Sequence, residues 1–313
     1  MWSRPERLRE SYSRMMSNMG RYIIGMDIGG TNLRVGAVDE EGNARNFKKL
    51  PVKQILNSSD VMGDLAAFLK DYMQDLEVEA LCLGFPATLD KKRRVVLQAP
   101  NIPYMENLPV ADKLSALLGL PVFIERDVNL CMCYDMAKYN VPPEGVACGF
   151  YFGTGIGNAI FIDGKPYVGR HGAAGELGHI PADGSEEKCG CGNLGCMENL
   201  AGGKYLLKCR QEKWPDCPLE EVFSHHGEEL KLFVDRMAQA VCAELNILDP
   251  DYVIIGGGVP DIPDFPREYL AERILARCRK PFPAEDLKLI FAQEDEKKGV
   301  LGAAIYKKML GRS

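Results

Sequence analysis

The chain has 313 residues, 46% hydrophobic and 26% charged, and its 38 Lys and Arg against 44 Asp and Glu leave a net charge of −6. That length can bury a sizeable core and suffices for two domains, while the acidic balance excludes a general nucleic-acid binder, which needs a basic surface. No apolar run approaches the roughly 20 residues of a membrane helix, and the N-terminus lacks a signal peptide's apolar core, so no membrane partner is expected.

Residues 1–20 carry Arg4, Arg7, Arg9 and Arg14 beside Glu6 and Glu10. They read as a short helix or a disordered lead-in, too short for a winged DNA-binding domain. Residues 22–38 read as strand, turn, strand, with Asp27 near the end of the first strand and Gly29, Gly30, Thr31 and Asn32 in the turn. Exposed amides and a hydroxyl there suit the terminal phosphates of a nucleotide. An inert turn is the plainer reading of one such hairpin, but a second follows. FYFGTGIGNAIFIDG places Gly153, Thr154, Gly155 and Gly157 at a matching turn, with Gly29 falling over Gly153. This pattern predicts an internal repeat, one hairpin per domain.

Between the hairpins the periodicity predicts a helix over 61–76 and strands over 80–85 and 94–98. Pro86 ends the first strand, and Asn101 lies in the extended APNIP run. A helix over 110–118 stops at Gly119, and a strand over 122–124 leads to Arg126, Asp127 and Asn129. Strand ends are where α/β proteins place reactive groups. Asp127 is therefore a candidate for catalysis, with helix capping as the alternative.

Residues 176–198, ELGHIPADGSEEKCGCGNLGCME, hold one histidine and three cysteines among glycines that let the backbone turn tightly. His179, Cys189, Cys191 and Cys196 supply one nitrogen and three sulfurs, the ligand set of a closed structural zinc site. Core cysteines beside a histidine are the alternative, though core cysteines need no glycine neighbours. Four protein ligands leave no open position, so the metal is expected to shape the loop and position Glu176 and Glu198. The chain holds 11 cysteines. The other eight, Cys82, Cys131, Cys133, Cys148, Cys209, Cys217, Cys242 and Cys278, lie mostly in apolar surroundings, as reduced thiols do, which suits a cytoplasmic protein.

Beyond the loop, Phe233, Met237, Ala240 and Val241 share a helical face leading to the strand YVIIGGG. There Gly256, Gly257 and Gly258 form another close-approach turn, suited to adenosine. The final helix, from about 298 to 310, carries small residues that permit tight packing.

DIGGTNLRVG (27–36), GTGIG (153–157), ELGH (176–179) and CGCGNLGCME (189–198) resemble the ROK family of bacterial sugar kinases and repressors over about residues 21–310. The resemblance implies an α/β, two-lobed actin-like or Hsp70-like (ribonuclease H-like) sugar-kinase fold with duplicated glycine-turn hairpins and a structural zinc loop. Residues 21–120 with 299–313 would form a small lobe, and 121–298 a large lobe containing the loop. It further implies that Asp127 accepts the proton of a sugar hydroxyl, that Glu176, His179 and Glu198 meet sugar hydroxyls, and that Asp27 stands near the magnesium-phosphate end of ATP. The three glycine turns fall on nucleotide positions, and homodimers are common in the family.

Many kinases of the family have Gly-x-Pro-Gly where this chain has Gly84, Phe85, Pro86 and Ala87, and Asn-Asp where it has Arg126 and Asp127. The runs RDVNL, GFPA and PNIP are similar to those of the family's D-allose kinases, so Pro86, Ala87, Asn101 and Arg126 join the candidate sugar contacts. Allose carries an axial 3-hydroxyl, and a changed donor beside the base is the expected adaptation. Arg126 is otherwise structural, paired with an acid such as Glu125. The expected activity is ATP-dependent phosphorylation of a hexose, D-allose before glucose, fructose or N-acetylmannosamine. A sugar-sensing repressor is the alternative of another class, and it needs a helix-turn-helix domain ahead of the first strand.

Overall fold

Two five-stranded sheets organise the chain, in strand orders β3-β2-β1-β4-β7 and β10-β9-β8-β11-β12. The computed structural model describes residues 21–183 and 185–311. The lead-in expected at 1–20 lies outside the described residues.

The first sheet is built from β1 (Tyr22–Ile28), β2 (Asn32–Val38), β3 (Ala44–Pro51), β4 (Val78–Phe85) and β7 (Val122–Arg126). β1 and β4 are nearly continuous apolar runs and lie at the centre, where both faces are covered. β3 carries Arg45, Lys48 and Lys49 and takes an edge, where lysines discourage pairing with another chain. Its charge obscured it in the sequence. The small hairpin β5 (Thr88–Leu89) and β6 (Val96–Gln98) stands beside this sheet.

Four helices follow the strands of this half: α1 (Val52–Ile55), α2 (Val61–Met73), α3 (Val110–Leu118) and α4 (Asp127–Lys138). α2 starts where Asp60 accepts the Gly63 N–H at 3.1 Å, and it buries Val61, Met62, Leu65, Ala66, Leu69 and Tyr72. α3 ends on Gly119 at φ +69°, the left-handed stop that glycine permits.

One boundary differs from expectation. β7 pairs in parallel with β4, Leu81 with Val122 through Phe85 with Arg126, so the strand leading to Asp127 belongs to the first sheet. The first compact unit accordingly runs to Leu130 and resumes at Gly299, and the second spans Cys131–Lys298. The division at residue 120 is thus displaced by strand pairing. Both boundaries fall inside helices, α4 and the last one, α10 (Lys298–Leu310). Within the first unit a Cβ at Gly302 would collide with the carbonyl of Leu130, so α10 packs on the start of α4 at backbone contact.

The second sheet comprises β8 (Val146–Phe152), β9 (Ile156–Ile162), β10 (Lys165–Pro166), β11 (Tyr252–Gly256) and β12 (Lys288–Phe291). Its helices are α5 (Glu198–Ala201), α6 (Gly203–Lys213), α7 (Val222–His226), α8 (Lys231–Leu248) and α9 (Arg267–Arg277). α8 packs Phe233, Val234, Met237, Ala238 and Val241 into a core with Phe150, Phe152 and Val253. Among the eight cysteines read as core residues, Cys82, Cys133, Cys148, Cys209, Cys242 and Cys278 are buried, and Cys131 and Cys217 are partly so. No helix among the described residues is long and apolar enough to cross a membrane.

Candidate functional site

In the first unit the β1–β2 hairpin sets Asp27 directly across from Arg34, and the arginine donates to the carboxylate at 3.3 Å. An opposite-charge cross-strand pair of this kind stabilises a hairpin and holds its carboxylate in one orientation. Gly29 donates to the Asn32 carbonyl at 2.9 Å and closes the turn, with Asn32 itself the first residue of β2. A Cβ at Gly30 would stand 3.0 Å from that of Asn101, so the APNIP run lies over this turn. The structure thus gathers Asp27, Gly29, Gly30, Thr31, Asn32 and Asn101 at one end of the sheet.

Asp127 opens α4, where its Oδ1 accepts the N–H of Val128 at 2.8 Å. That bond comes from the adjacent residue, whereas a capping side chain accepts from the second or third residue of its helix. Arg126 ends β7 and is 8% exposed. Glu125 is fully buried, and Arg93 donates to it at 3.1 Å, the Asn129 amide at 3.0 Å and the Arg126 backbone N–H at 2.8 Å. Pro86 and Ala87 lie between β4 and β5, and Ala87 packs on the first core.

In the second unit the turn between β8 and β9 holds Gly153, Thr154 and Gly155, whereas Gly157 lies within β9 opposite Tyr151. The carbonyls of Gly153 and Thr154 accept the N–H groups of Gly203 and Lys204 at 2.8 and 2.9 Å, so the start of α6 braces the turn. A Cβ at Gly155 would meet the Glu198 carboxylate, so that carboxylate lies directly against this turn. Gly257, at φ +96°, leaves β11 in a conformation that favours glycine, and a Cβ there would meet the backbone of Phe152 at 2.6 Å. Gly256 lies against the Tyr151 ring, and Gly258 is exposed.

Glu198 also faces the cysteine loop. The Cys189 thiol donates to its Oε1 at 3.0 Å, and His179 Nδ1 stands 3.7 Å from the same oxygen. The ligand atoms of His179, Cys189, Cys191 and Cys196 all lie within 4.8 Å of one another. Zinc bond lengths of about 2.0–2.3 Å give tetrahedral edges of about 3.5–3.8 Å. The Cys189 to His179 separation of 3.5 Å and the Cys191 to Cys196 separation of 3.6 Å match those edges. Donor set and spacing therefore both fit zinc. Gly192 and Gly195, at φ +98° and +68°, supply the turns that bring the sulfurs together.

His179 turns Nδ1 toward Cys189 and Nε2 toward Glu176, 3.5 Å away, which is the arrangement in which a carboxylate orients a metal-binding imidazole. Burial pushes the Cys189 and Cys196 thiols up, whereas the Asn193 backbone N–H holds the exposed Cys191 thiol down. The site can thus hold one metal ion beside two partly exposed carboxylates.

Sequence reasoning did not select Arg34 or Arg93. For Arg34 the signal was present, since the hairpin register alone puts it opposite Asp27. For Arg93 it was absent, because Arg93 lies in the turn between β5 and β6 and its partner is 32 residues away in β7.

Comparison with known proteins bears on both units. The chain is 30% identical to a glucokinase of Streptomyces coelicolor over 90% of this chain and 96% of that protein. It is 29% identical to an N-acetyl-D-glucosamine kinase of Pectobacterium atrosepticum over 90% and 97%. A ROK family glucokinase of Streptomyces griseus, solved with glucose and AMPPNP, superposes with a TM-score of 0.73 at 28% identity, covering 90% of this chain and 98% of that one. The ROK family pattern matches residues 23–309, which takes in both sheets, the Asp127 junction and the whole cysteine loop. With both sheets of the family's α/β sugar-kinase fold present, the chain belongs to the ROK family.

Proposed function

We propose that this protein is an ATP-dependent hexose kinase that transfers the γ-phosphoryl group to the 6-hydroxyl of its sugar, with D-allose preferred. The observation that carries the reading is the position of Glu198, whose carboxylate lies against the Gly155 turn on one side and Cys189 and His179 on the other. A turn suited to phosphate and a carboxylate suited to sugar hydroxyls are thereby held together by one loop. The related glucokinases and N-acetyl-D-glucosamine kinase support the hexose class.

Phosphoryl transfer asks a protein chiefly for positioning and charge stabilisation. Asp127 takes the proton of the 6-hydroxyl as that oxygen bonds to the γ-phosphorus, the bond to the β-γ bridging oxygen breaks, and ADP leaves. The turns at 29–32, 153–157 and 256–258 present backbone N–H groups to ATP. Asp27 would hold magnesium with the nucleotide, where the ion would supply charge neutralisation. Glu176, His179 and Glu198 orient the sugar, and His179, Cys189, Cys191 and Cys196 would hold a zinc ion that would fix the loop carrying them. Pro86, Ala87 and Asn101 complete the sugar contacts.

The preference for allose rests on Arg126, which brings a guanidinium to the residue beside Asp127. A homodimer is part of the same reading, and light scattering at micromolar concentration tests it. The decisive experiment is ADP release over a panel of hexoses, with Asp127→Asn as the blank. Release with D-allose above glucose, fructose and N-acetylmannosamine is expected. A flat response to every sugar overturns the kinase reading, and a higher kcat/KM for another hexose overturns the allose preference.

A further inference from the structure

Beneath the Asp127 junction, Glu125 is completely buried and nonetheless fully engaged. Its Oε1 accepts the Arg126 backbone N–H at 2.8 Å and the Asn129 amide at 3.0 Å, and the Arg93 guanidinium lies 3.0 Å from Oε1 and 3.1 Å from Oε2. The phenol of Tyr306, on α10, faces the same carboxylate. Arg93, Asn129 and Tyr306 are themselves buried, at 9%, 3% and 5% exposure.

The two bonds to Oε1 have a specific geometric effect. One holds the residue before Asp127 and the other the residue two after it, so a single oxygen grips the chain on both sides of Asp127 at the change from strand to helix. Arg93 neutralises that oxygen from the β5–β6 hairpin. It does so from a left-handed backbone position, φ +54°, which is sparsely used by residues other than glycine, asparagine and aspartate. Asp90 fixes the hairpin by accepting the N–H groups of Arg94 and Val95, both at 2.7 Å.

A buried ion pair is a poor device for stability, since apolar residues of similar size commonly do as well. It is a good device for placement, because each donor restricts the acceptor to one direction. We propose that Glu125, neutralised by Arg93, is a positioning residue that sets Asp127 and Arg126 for phosphoryl transfer through its grip on Arg126 and Asn129. The proposal rests on the kinase reading above.

Two double variants separate placement from stability. Arg93→Met with Glu125→Gln removes both charges and keeps an acceptor for Arg126 and Asn129. Arg93→Met with Glu125→Leu removes both charges and the acceptor. With folding checked by thermal unfolding, the first is expected to keep kcat within about threefold of the native protein. The second is expected to lose about 10²-fold in kcat with little change in KM, the loss that a 1 Å misplacement brings. Asn129→Ala, which leaves the ion pair intact, is expected to lose about tenfold and serves if the leucine double variant fails to fold.

In the Asp127→Asn background the Asn129→Ala loss should vanish, because residues acting through one group are not additive. A leucine double variant that folds and keeps native kcat overturns the proposal, as does an Asn129→Ala loss that persists undiminished beside Asp127→Asn. Full turnover in Asp127→Asn alone would instead overturn the role of Asp127, and these outcomes are distinguishable.

Discussion

The junction that carries Asp127 and the loop that carries Glu176, His179 and Glu198 hold their side chains by opposite means. The junction is regular structure: a strand paired along its length, a helix begun on an aspartate, and a buried carboxylate with several donors. The loop has one turn of 3-10 helix over Leu177–His179 and isolated bridges between Pro181 and Cys196 and between Lys188 and Leu194. Scattered backbone bonds, such as Ala182 N–H to the Gly195 carbonyl and Met197 N–H to the Ile180 carbonyl, close the loop without a strand ladder, and its histidine and three cysteines converge where a metal ion would add rigidity. The difference teaches that Asp127 is held by strand pairing and a buried carboxylate, whereas Glu176 and Glu198 are held through contacts with a histidine and a cysteine of a cluster that fits a metal ion.

The largest expected effect strikes the junction. Asp127→Asn keeps the shape of the side chain and removes its basicity, so turnover should fall by about 10²–10⁴-fold while sugar affinity, measured by calorimetry, stays within a few fold. A fall in affinity with turnover intact would show that the junction binds and does not react.

Next comes the loop. Glu176→Gln leaves every metal ligand in place but weakens the acceptor at His179 Nε2. Zinc affinity measured against a competing chelator should drop about 10–100-fold. Stripping the metal should raise amide exchange over 181–197 while leaving β4 and β7 protected. Equal loosening of both regions would erase the contrast drawn here.

Arg126→Asn probes selectivity at the junction. The kcat/KM ratio of allose to glucose should fall by about tenfold, within the range that a lost polar contact brings. An unchanged ratio assigns the arginine to structure.

The smallest effect concerns the hairpin that presents Arg93. Burial pulls the Asp90 carboxyl upward, but the N–H groups of Val95, Arg94 and Lys92 outweigh it and hold its titration below the ordinary aspartate range. Its contribution is therefore present above the unfolded value of about 3.9 and is lost as pH falls through the lower folded one. Asp90→Ala should lower stability at neutral pH by about 1 kcal/mol, and the deficit should shrink in acid.

Much of this was legible in the sequence. α3 and α10 appear at their expected bounds because periodicity and a stop signal agreed, as with Leu114 in the core and Gly119 after the last turn. α2 ends at Met73, short of the expected 76, because Gln74 onward turns toward β4. The cysteine cluster was legible because its ligands are close in sequence and glycine marks the turns. The Glu125 network was legible only in its local part, because Asn129 lies four residues on, whereas Arg93 and Tyr306 come from a hairpin and the final helix and meet the carboxylate only in the folded unit. The division between units was misplaced for a related reason: β7 declares its membership through its partner β4, which no local pattern encodes.

The return of the chain to its first unit through α10 has a consequence for biosynthesis. Ile23 and Val38 share a buried cluster with Val300 and Ala304. During translation, every residue of the second unit emerges before Val300 does. The apolar face of the earliest strands therefore stays uncovered until the end of synthesis, and chaperone binding should be stronger to chains that lack residues 299–310 than to the full chain.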